Sequence, residues 1–300
     1  MPTYINNIVA LADLESAKVA HSPMSHTIPV LEPFDNPDRS YPYSTMIGRL
    51  LWLARCCRSD ITFSVNLLAR FTTCYGPAHI SALKRIFRYI AYTSEIGITF
   101  DGNAPLDILA YSDADYGSQH GRKSVSGCLV FLGKSLIAMA SKKQKSVSTS
   151  TMEAEFQALA LATSELLWLQ NFLEGLGMPR DRPSTILVDN QAVINHLDNP
   201  TNRSLAKHID IKFHFVRDYY KNKQAFDIGF VATKDNLADA LTKPLPYPQH
   251  WYLANSYLGI HATDSQWSLG WHFPFSYWST DVSDYSERLR GLRGSVEDDD

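Results

Sequence analysis

The sequence has few cysteines, no strong excess of either charge and no long apolar run. Its four cysteines, at positions 56, 57, 74 and 128, show no Cys-x-x-Cys spacing, which argues against a cysteine-ligated metal and favours a reduced intracellular compartment. The net charge is only −3, so no global basic field indicates a nucleic-acid partner, although a local basic surface is compatible with it. No stretch reaches the roughly 20 apolar residues of a membrane span, and residues 1–13 lack the basic start of a signal peptide.

Enough apolar sequence is present for a packed core, because hydrophobic residues make up 45% of the 300 residues and charged residues 20%. We predict four parts. Residues 1–43 are expected to be weakly structured, since prolines interrupt any long helix. Residues 44–104 show helical spacing and predict a small helical segment. Residues 105–246 predict an α/β domain, and residues 247–300 form a C-terminal tail of unknown role.

The patterns of strand and helix alternate along residues 105–246. Their order is three strands, a helix, a strand, two helices, a strand and a short final helix, which predicts a mixed five-stranded central sheet flanked by helices. The turn signal Gly133-Lys134 joins the second and third strands as a hairpin. A Ser/Thr-rich run at 146–151 offers N-caps for a long helix from about Met152 to Leu176.

Four carboxylates lie at or near the ends of these predicted elements. Asp113 and Asp189 each end an apolar strand, while Glu153 and Asp239 lie in helical patterns. Any one of them is compatible with an ordinary turn residue, but crowded carboxylates repel one another unless a cation neutralises them. Magnesium and manganese prefer oxygen ligands, and two such ions can activate water for attack on a phosphodiester. The pattern therefore predicts an oxygen-lined site for two divalent ions.

Seven stretches of residues 106–246 resemble the RNase H domain of copia-type retrotransposon polyproteins. They are YSDADYG (111–117), GRKSVSGCLVFLG (121–133), SKKQKSVSTSTMEAEFQAL (141–159), LWLQNFLEGLG (167–177), VDNQAVI (188–194), KHIDIKFHFVRD (207–218) and FVATKDNLADALTKPLP (230–246). The resemblance implies an RNase H-like fold, two Mg2+ ions with Mn2+ as a substitute, and endonucleolytic cleavage of the RNA strand of RNA–DNA hybrids. It places the four catalytic and metal-binding acidic residues of the family on Asp113, Glu153, Asp189 and Asp239.

The predicted long helix carries two candidate glutamates, and two arguments disagree about them. Glu153 and Glu155 project about 200° apart around a helix. The apolar positions Phe156, Leu159 and Leu166 place Glu155 nearer the buried side, so periodicity favours Glu155. The family pattern favours Glu153, and we adopt Glu153 as the expectation.

Two basic clusters flank the predicted site. Arg122 and Lys123 lie in the turn after the first acidic motif, and Lys142, Lys143 and Lys145 follow the third strand. Such residues are either solvated turn residues or contacts to nucleic-acid phosphates, and we predict the second role.

Residues 41–100 resemble the helical segment that follows the polymerase palm in the same polyproteins. No Tyr-x-Asp-Asp motif occurs upstream of residue 106, so we expect no polymerase activity from this chain alone. The resemblance implies an RNA–DNA hybrid and the polymerase part of the polyprotein as partners, no membrane partner, and a location in a cytoplasmic virus-like particle or the nucleus.

Three points stay open at this stage. The chain could instead be a catalytically inactive, retroelement-derived domain that only binds nucleic acid. It could also be an integrase or resolvase of the same fold superfamily, which the SKKQ and KHID stretches disfavour. Many cellular RNases H carry a histidine before the fourth acidic residue, whereas residues 231–236 contain none, so the route of the leaving-group proton is open. His208 and His214 are expected to be structural.

Overall fold

The computed structural model describes residues 1–27, 31–178, 183–199 and 207–259, without the side chains of 207–209. The chain divides into two compact units, of which Met1–Ile260 is the first. The tail predicted over residues 247–300 lies outside the described residues from 260 onward. The account below concerns the first unit.

A mixed five-stranded sheet forms the centre of the second half of this unit. The strands are β1 (Ile108–Gln119), β2 (Lys123–Leu132), β3 (Ser135–Lys143), β4 (Ser184–Val188) and β5 (Phe226–Phe230). Their order across the sheet is β3-β2-β1-β4-β5. The first three strands pair antiparallel, whereas β4 lies parallel to both β1 and β5. The mixed five-stranded sheet predicted from the sequence is therefore confirmed.

Helices cover this sheet and precede it in the chain. They are α1 (Pro2–Leu11), α2 (Tyr43–Cys56), α3 (Thr62–Ala69), α4 (Pro77–Tyr92), α5 (Thr151–Gly175), α6 (Gln191–Asp198), α7 (Lys207–Arg217) and α8 (Tyr247–Leu258). The long helix α5 packs across β1 and β2 and buries an apolar stripe that includes Phe156, Leu159 and Leu166. Within the described ranges, every helix is too short or too polar to cross a bilayer.

Residues 1–43 differ from the expectation of a weakly structured stretch. Helix α1 buries Ile5, Ile8 and Val9 in the same apolar core as α2, α3 and α4. Arg85 of α4 donates hydrogen bonds to the carbonyl oxygen and to the hydroxyl of Ser22, both at 3.0 Å. A ten-residue helix is marginal by itself in water, so these tertiary contacts rather than local propensity order this part of the chain.

A buried polar network ties helix α8 to the helical segment. Arg58 and Asp60 form a fully buried ion pair at 2.7 Å. The Tyr89 hydroxyl donates to Asp60 at 2.7 Å and lies 3.3 Å from Nε2 of His250, which belongs to α8. Burial lowers the pKa of His250 to about 4, so its imidazole is neutral at physiological pH. Residues 247–258 are thus part of the packed unit, which the sequence did not predict.

Candidate metal centre

Asp113 and Asp189 meet because β1 and β4 run parallel. Ser112 of β1 is in register with Val188 of β4, so the next residue of each strand stands at the same edge of the sheet. Those next residues are Asp113, which is buried, and Asp189, which is half-buried. The carboxyl ends of parallel strands are a common place for a functional site.

A short 3₁₀ helix, Leu237–Leu241, brings Asp239 to the same edge. Its N-cap residue, Asn236, is fully buried and accepts a hydrogen bond from the amide of Ala238 at 3.2 Å. The same side chain donates through Nδ2 to the carbonyl oxygen of Ser112 at 3.0 Å. One asparagine therefore caps the helix and fixes it to the strand residue that precedes Asp113.

Gly127 of β2 makes room for this approach. It is the residue paired with Asp113 across the β1–β2 ladder. A Cβ atom at position 127 would lie 2.7 Å from Cγ2 of Thr242 and 2.9 Å from the carbonyl oxygen of Ala238, closer than packed atoms permit. A larger residue would push the segment that carries Asp239 away from β1.

The three aspartates form one oxygen cluster. Asp113, Asp189 and Asp239 each offer a carboxylate oxygen, and these atoms lie within 4.8 Å of one another. The Thr242 hydroxyl donates to the carboxylate of Asp113, and Nζ of Lys243 lies 2.7 Å from Oδ1 of Asp239. This all-oxygen donor set is the kind that Mg2+ and Mn2+ prefer, so the cluster could bind a divalent metal.

The structure places Glu155, and not Glu153, beside this cluster. The negative charges of Asp113 and Asp189 act on the Glu155 carboxyl, which is buried. The Glu153 carboxylate instead accepts a hydrogen bond from the amide of Thr149 at 2.7 Å, while the amide of Glu153 donates to the Ser150 hydroxyl at 3.2 Å. These bonds form the N-terminal cap of α5. The assignment of Glu153 to the acidic site stays a prediction; in this structure its carboxylate is bonded to the amide of Thr149, the residue before the N-cap Ser150.

Burial and mutual repulsion make ionisation of this cluster costly. Burial is the main reason that the pKa of Glu155 is raised to about 9 and that of Asp113 to about 7, and neighbouring carboxylates raise both further. Burial also raises the pKa of Asp239, although the ammonium of Lys243 opposes that rise. Carboxyl groups held in this way are ionised together only with added positive charge. The residues present therefore fit a bound divalent cation.

We expect the free energy of unfolding of the protein, kept free of metal by a chelator, to fall as pH rises. The folded state holds protons on Asp113 and Glu155 that the unfolded chain releases near the ordinary values of 3.8 and 4.5. Stability is therefore lost progressively from about pH 4 upward, until the folded pKa values are passed. Urea unfolding in chelator at about pH 5 and about pH 8 measures this loss. Saturating Mg2+ should remove most of it, and a flat profile in chelator would contradict the crowded cluster.

The predicted basic residues do not form one patch. Lys142 and Lys143 project to opposite faces of β3, and the Lys142 ammonium lies 3.9 Å from a carboxylate oxygen of Glu165 on α5. Lys143 donates to the carbonyl oxygen of His120 at 3.0 Å, close to Lys123. Arg122 and Lys145 are exposed. Their role in nucleic-acid binding stays a prediction.

Several residues of the centre are ones that the sequence argument missed. Asn236, Thr242 and Lys243 all surround Asp239. Lys243 follows Asp239 by four residues, the spacing of neighbouring side chains on a helix, and this signal was available in the stretch LADALTKP. His214 pairs with Asp210 at 3.2 Å, and the side chain of His208 lies outside the described residues.

Comparison with known proteins agrees with these features. No protein-family model matches the chain. The chain is 38% identical over 245 residues to the Retrovirus-related Pol polyprotein from transposon RE1 of Arabidopsis thaliana, an alignment that covers 81% of this chain and 16% of that protein. It is 30% identical over 267 residues to the Pol polyprotein from transposon TNT 1-94 of Nicotiana tabacum, with 86% and 20% covered. The chain is homologous to copia-type transposon Pol polyproteins.

The chain spans no more than 20% of the length of these Pol relatives. Among solved structures it is similar to LC11-RNase H1, at 16% identity and a TM-score of 0.36, over 46% of this chain and 93% of that one. It is also similar to the foamy viral protease-reverse transcriptase in complex with dsDNA, at 12% identity and a TM-score of 0.38, over 65% and 40% of the two chains.

Proposed function

We propose that this chain hydrolyses the RNA strand of RNA–DNA hybrids, as the RNase H part of a retrotransposon Pol polyprotein. The observation that carries the proposal is the convergence of three carboxylates, those of Asp113, Asp189 and Asp239, at one edge of the sheet, where burial and their charges raise the pKa of the Glu155 carboxyl. Homology to transposon Pol polyproteins supports it, because their RNA intermediates make such hybrids the expected substrate class.

Asp113, Asp189 and Asp239, together with Glu155, would hold two Mg2+ ions. When bound, such ions supply an activated water and stabilise charge on the leaving oxygen of a phosphodiester. The protein holds the carboxylates in place: Thr242 orients Asp113, and Lys243 orients Asp239. Burial of Asp113, Glu155 and Asp239 limits their contact with bulk water, which strengthens their interaction with a cation.

The partners and location follow from the same proposal. The hybrid would be the substrate, and the polymerase part of the polyprotein would be the covalent or assembled neighbour of this domain. Reverse transcription by such elements would place the protein in a cytoplasmic particle or in the nucleus. The boundary at residue 104, between the helical segment and the domain that contains the sheet, belongs to this proposal as well.

A cleavage assay with three labelled substrates tests the activity. Purified chain is incubated with RNA–DNA hybrid, duplex DNA and duplex RNA in Mg2+, Mn2+, Ca2+ or chelator. We expect cleavage of the hybrid RNA strand alone, with Mg2+ or Mn2+ and not with Ca2+, whose looser coordination misplaces the attacking water. Binding of hybrid without cleavage under any of these ions would favour the inactive nucleic-acid-binding alternative. Cleavage of duplex DNA would favour another nuclease of the superfamily.

The basic residues after β3 give a further prediction. Reversal of Lys142, Lys143 and Lys145 to Glu should weaken binding to hybrids of any sequence and flatten the dependence of log K on log salt, because phosphate contacts are electrostatic and independent of sequence. Since Lys142 and Lys143 face opposite sides, we expect Lys143→Glu to account for more of the effect than Lys142→Glu, whose ammonium faces Glu165.

Fluorescence anisotropy over a salt series measures both quantities. Lys84→Glu, a reversal at an exposed position on α4, is the matched control for the single reversals Lys142→Glu and Lys143→Glu. If the triple variant keeps the salt slope of the unmodified protein, these lysines merely face water and the hybrid is held elsewhere.

A further inference from the structure

A cavity of about 270 Å³ lies between the helical segment and the β1–β2 hairpin. Leu31 and Phe71 contribute to its apolar wall, and Arg70 and Lys143 to its polar wall. Asp115 also lines it. The cavity is therefore assembled from distant parts of the chain and has both apolar and cationic surfaces.

The cavity is a direct neighbour of the candidate metal centre. Asp115 lies two residues after Asp113 on β1, which is about 7 Å along a strand. The β1–β2 register then shifts between Asp115 and Gln119, and this irregularity turns the end of β1 away from the regular ladder. A polymer bound at the aspartates would reach the cavity with its next units.

Arg70 is the most unusual side chain of the cavity. It is half-buried, and burial lowers the pKa of its guanidinium to about 10. One of its N–H groups donates to Oε1 of Gln119 at 2.9 Å. Among the residues that the structure describes, no carboxylate forms an ion pair with it. Because a guanidinium has five N–H donors, most of its hydrogen-bonding capacity remains for a ligand.

Lys143 adds positive charge next to Arg70, and Lys123 lies close to Lys143. The pKa of Lys143 is lowered by burial first and then by the positive charges of Arg70 and Lys123. The Lys143 ammonium donates one hydrogen bond to the carbonyl oxygen of His120. Like charges held this close repel one another, and a bound anion would offset that repulsion.

We infer that Arg70 and Lys143, with the charge of Lys123 nearby, form an anion subsite for a backbone phosphate of the nucleic acid held at the metal centre. The inference rests on the proposed function for the identity of the polymer, but not for the presence of an anion site. The planar fork of Arg70 suits two oxygens of one phosphate. Arg70 directly follows α3, so the helical segment would take part in substrate binding.

Arg70→Gln tests the subsite in binding rather than in catalysis. The variant is made in an Asp189→Asn background, so that hybrid is not consumed, and hybrid affinity is measured by anisotropy over a salt series. We expect about tenfold weaker binding, as for a lost hydrogen bond to a charged group, and a salt slope smaller by about 0.9, as for one phosphate contact. Arg55→Gln, at an exposed arginine of α2 that does not line the cavity, should change neither quantity.

Lys143→Gln is the second variant, for the case in which Arg70→Gln does not fold. It removes another cation of the subsite at a more exposed position. Melting temperatures establish whether each variant is folded. Folded variants that bind with unchanged affinity and salt slope would overturn the subsite. If inorganic phosphate raises the melting temperature of the parent but not of Arg70→Gln, while hybrid binding is the same for both, the site takes free phosphate and the assignment to backbone phosphate is wrong.

The outcomes also separate this inference from the proposed function. If the unmodified protein binds hybrid through Arg70 but cleaves nothing, the subsite is supported and the proposed activity is wrong. If the unmodified protein cleaves hybrid and Arg70→Gln binds hybrid with normal affinity, the proposed activity is supported and the subsite is wrong.

Discussion

Asp189→Asn is expected to reduce cleavage of hybrid RNA by at least about a hundredfold while leaving hybrid binding within about twofold. Asp189 follows the last residue of β4, and its oxygen lies within 4.8 Å of those of Asp113 and Asp239. Asparagine keeps the shape of the side chain but removes one negative charge from the donors of the cation. Binding should persist because phosphate contacts outside the cluster supply most of the affinity.

Single-turnover cleavage in saturating Mg2+, together with anisotropy binding, measures both halves of this prediction. Asp198→Asn is the matched control, because Asp198 ends α6 and pairs with Lys221 at 2.6 Å on a half-exposed surface. Loss of such a pair costs about 0–1 kcal/mol of stability and should leave cleavage unchanged. Cleavage by Asp189→Asn at the rate of the unmodified chain would remove Asp189 from the metal centre.

The sequence was sufficient to predict how three aspartates converge. Asp113 and Asp189 end apolar runs, and two strands of a buried sheet that run parallel present such residues at one edge. Asp239 was added by the resemblance, which places the fourth acidic residue of the family on it. These predictions depend on local patterns of two to ten residues, which a single sequence displays directly.

The remainder of the centre depends on contacts that no local pattern reveals. Asn236 reaches a carbonyl oxygen 124 positions earlier, and Gly127 is needed only because the segment at Thr242 packs over it. Likewise, α1 is ordered by burial of its apolar face against helices more than 30 residues away rather than by its own propensity. Such long-range complementarity is a property of the packed chain.

The choice between two glutamates is a case in which periodicity and motif matching disagreed, and the geometry agrees with periodicity. A helix turns by about 100° per residue, so a shift of two positions moves a carboxylate to the other side of the helix. Ser150, Thr149 and Glu153 complete a cap at the start of α5, which accounts for Glu153 without any role in catalysis. We therefore propose that Glu155 is the fourth acidic residue of the centre.

Glu155→Gln is accordingly expected to lower cleavage by at least about a hundredfold, whereas Glu153→Gln should retain activity close to that of the unmodified chain. Gln at 153 still offers an oxygen to the amide of Thr149, and its own amide still donates to the Ser150 hydroxyl, so the N-terminus of α5 is preserved. The two substitutions are chemically identical and lie two residues apart on one helix, so each is the control for the other.

A second readout separates loss of a metal ligand from simple damage to the fold. In chelator, Glu155→Gln should be more stable than the unmodified chain at neutral pH, because Gln needs no proton to be buried beside Asp113 and Asp189. The gain should vanish below about pH 4.5, where Glu is protonated in folded and unfolded chains alike, and grow with pH up to the folded pKa. If instead Glu153→Gln is inactive and Glu155→Gln cleaves normally, the family pattern was correct and α5 must turn in the presence of metal and substrate.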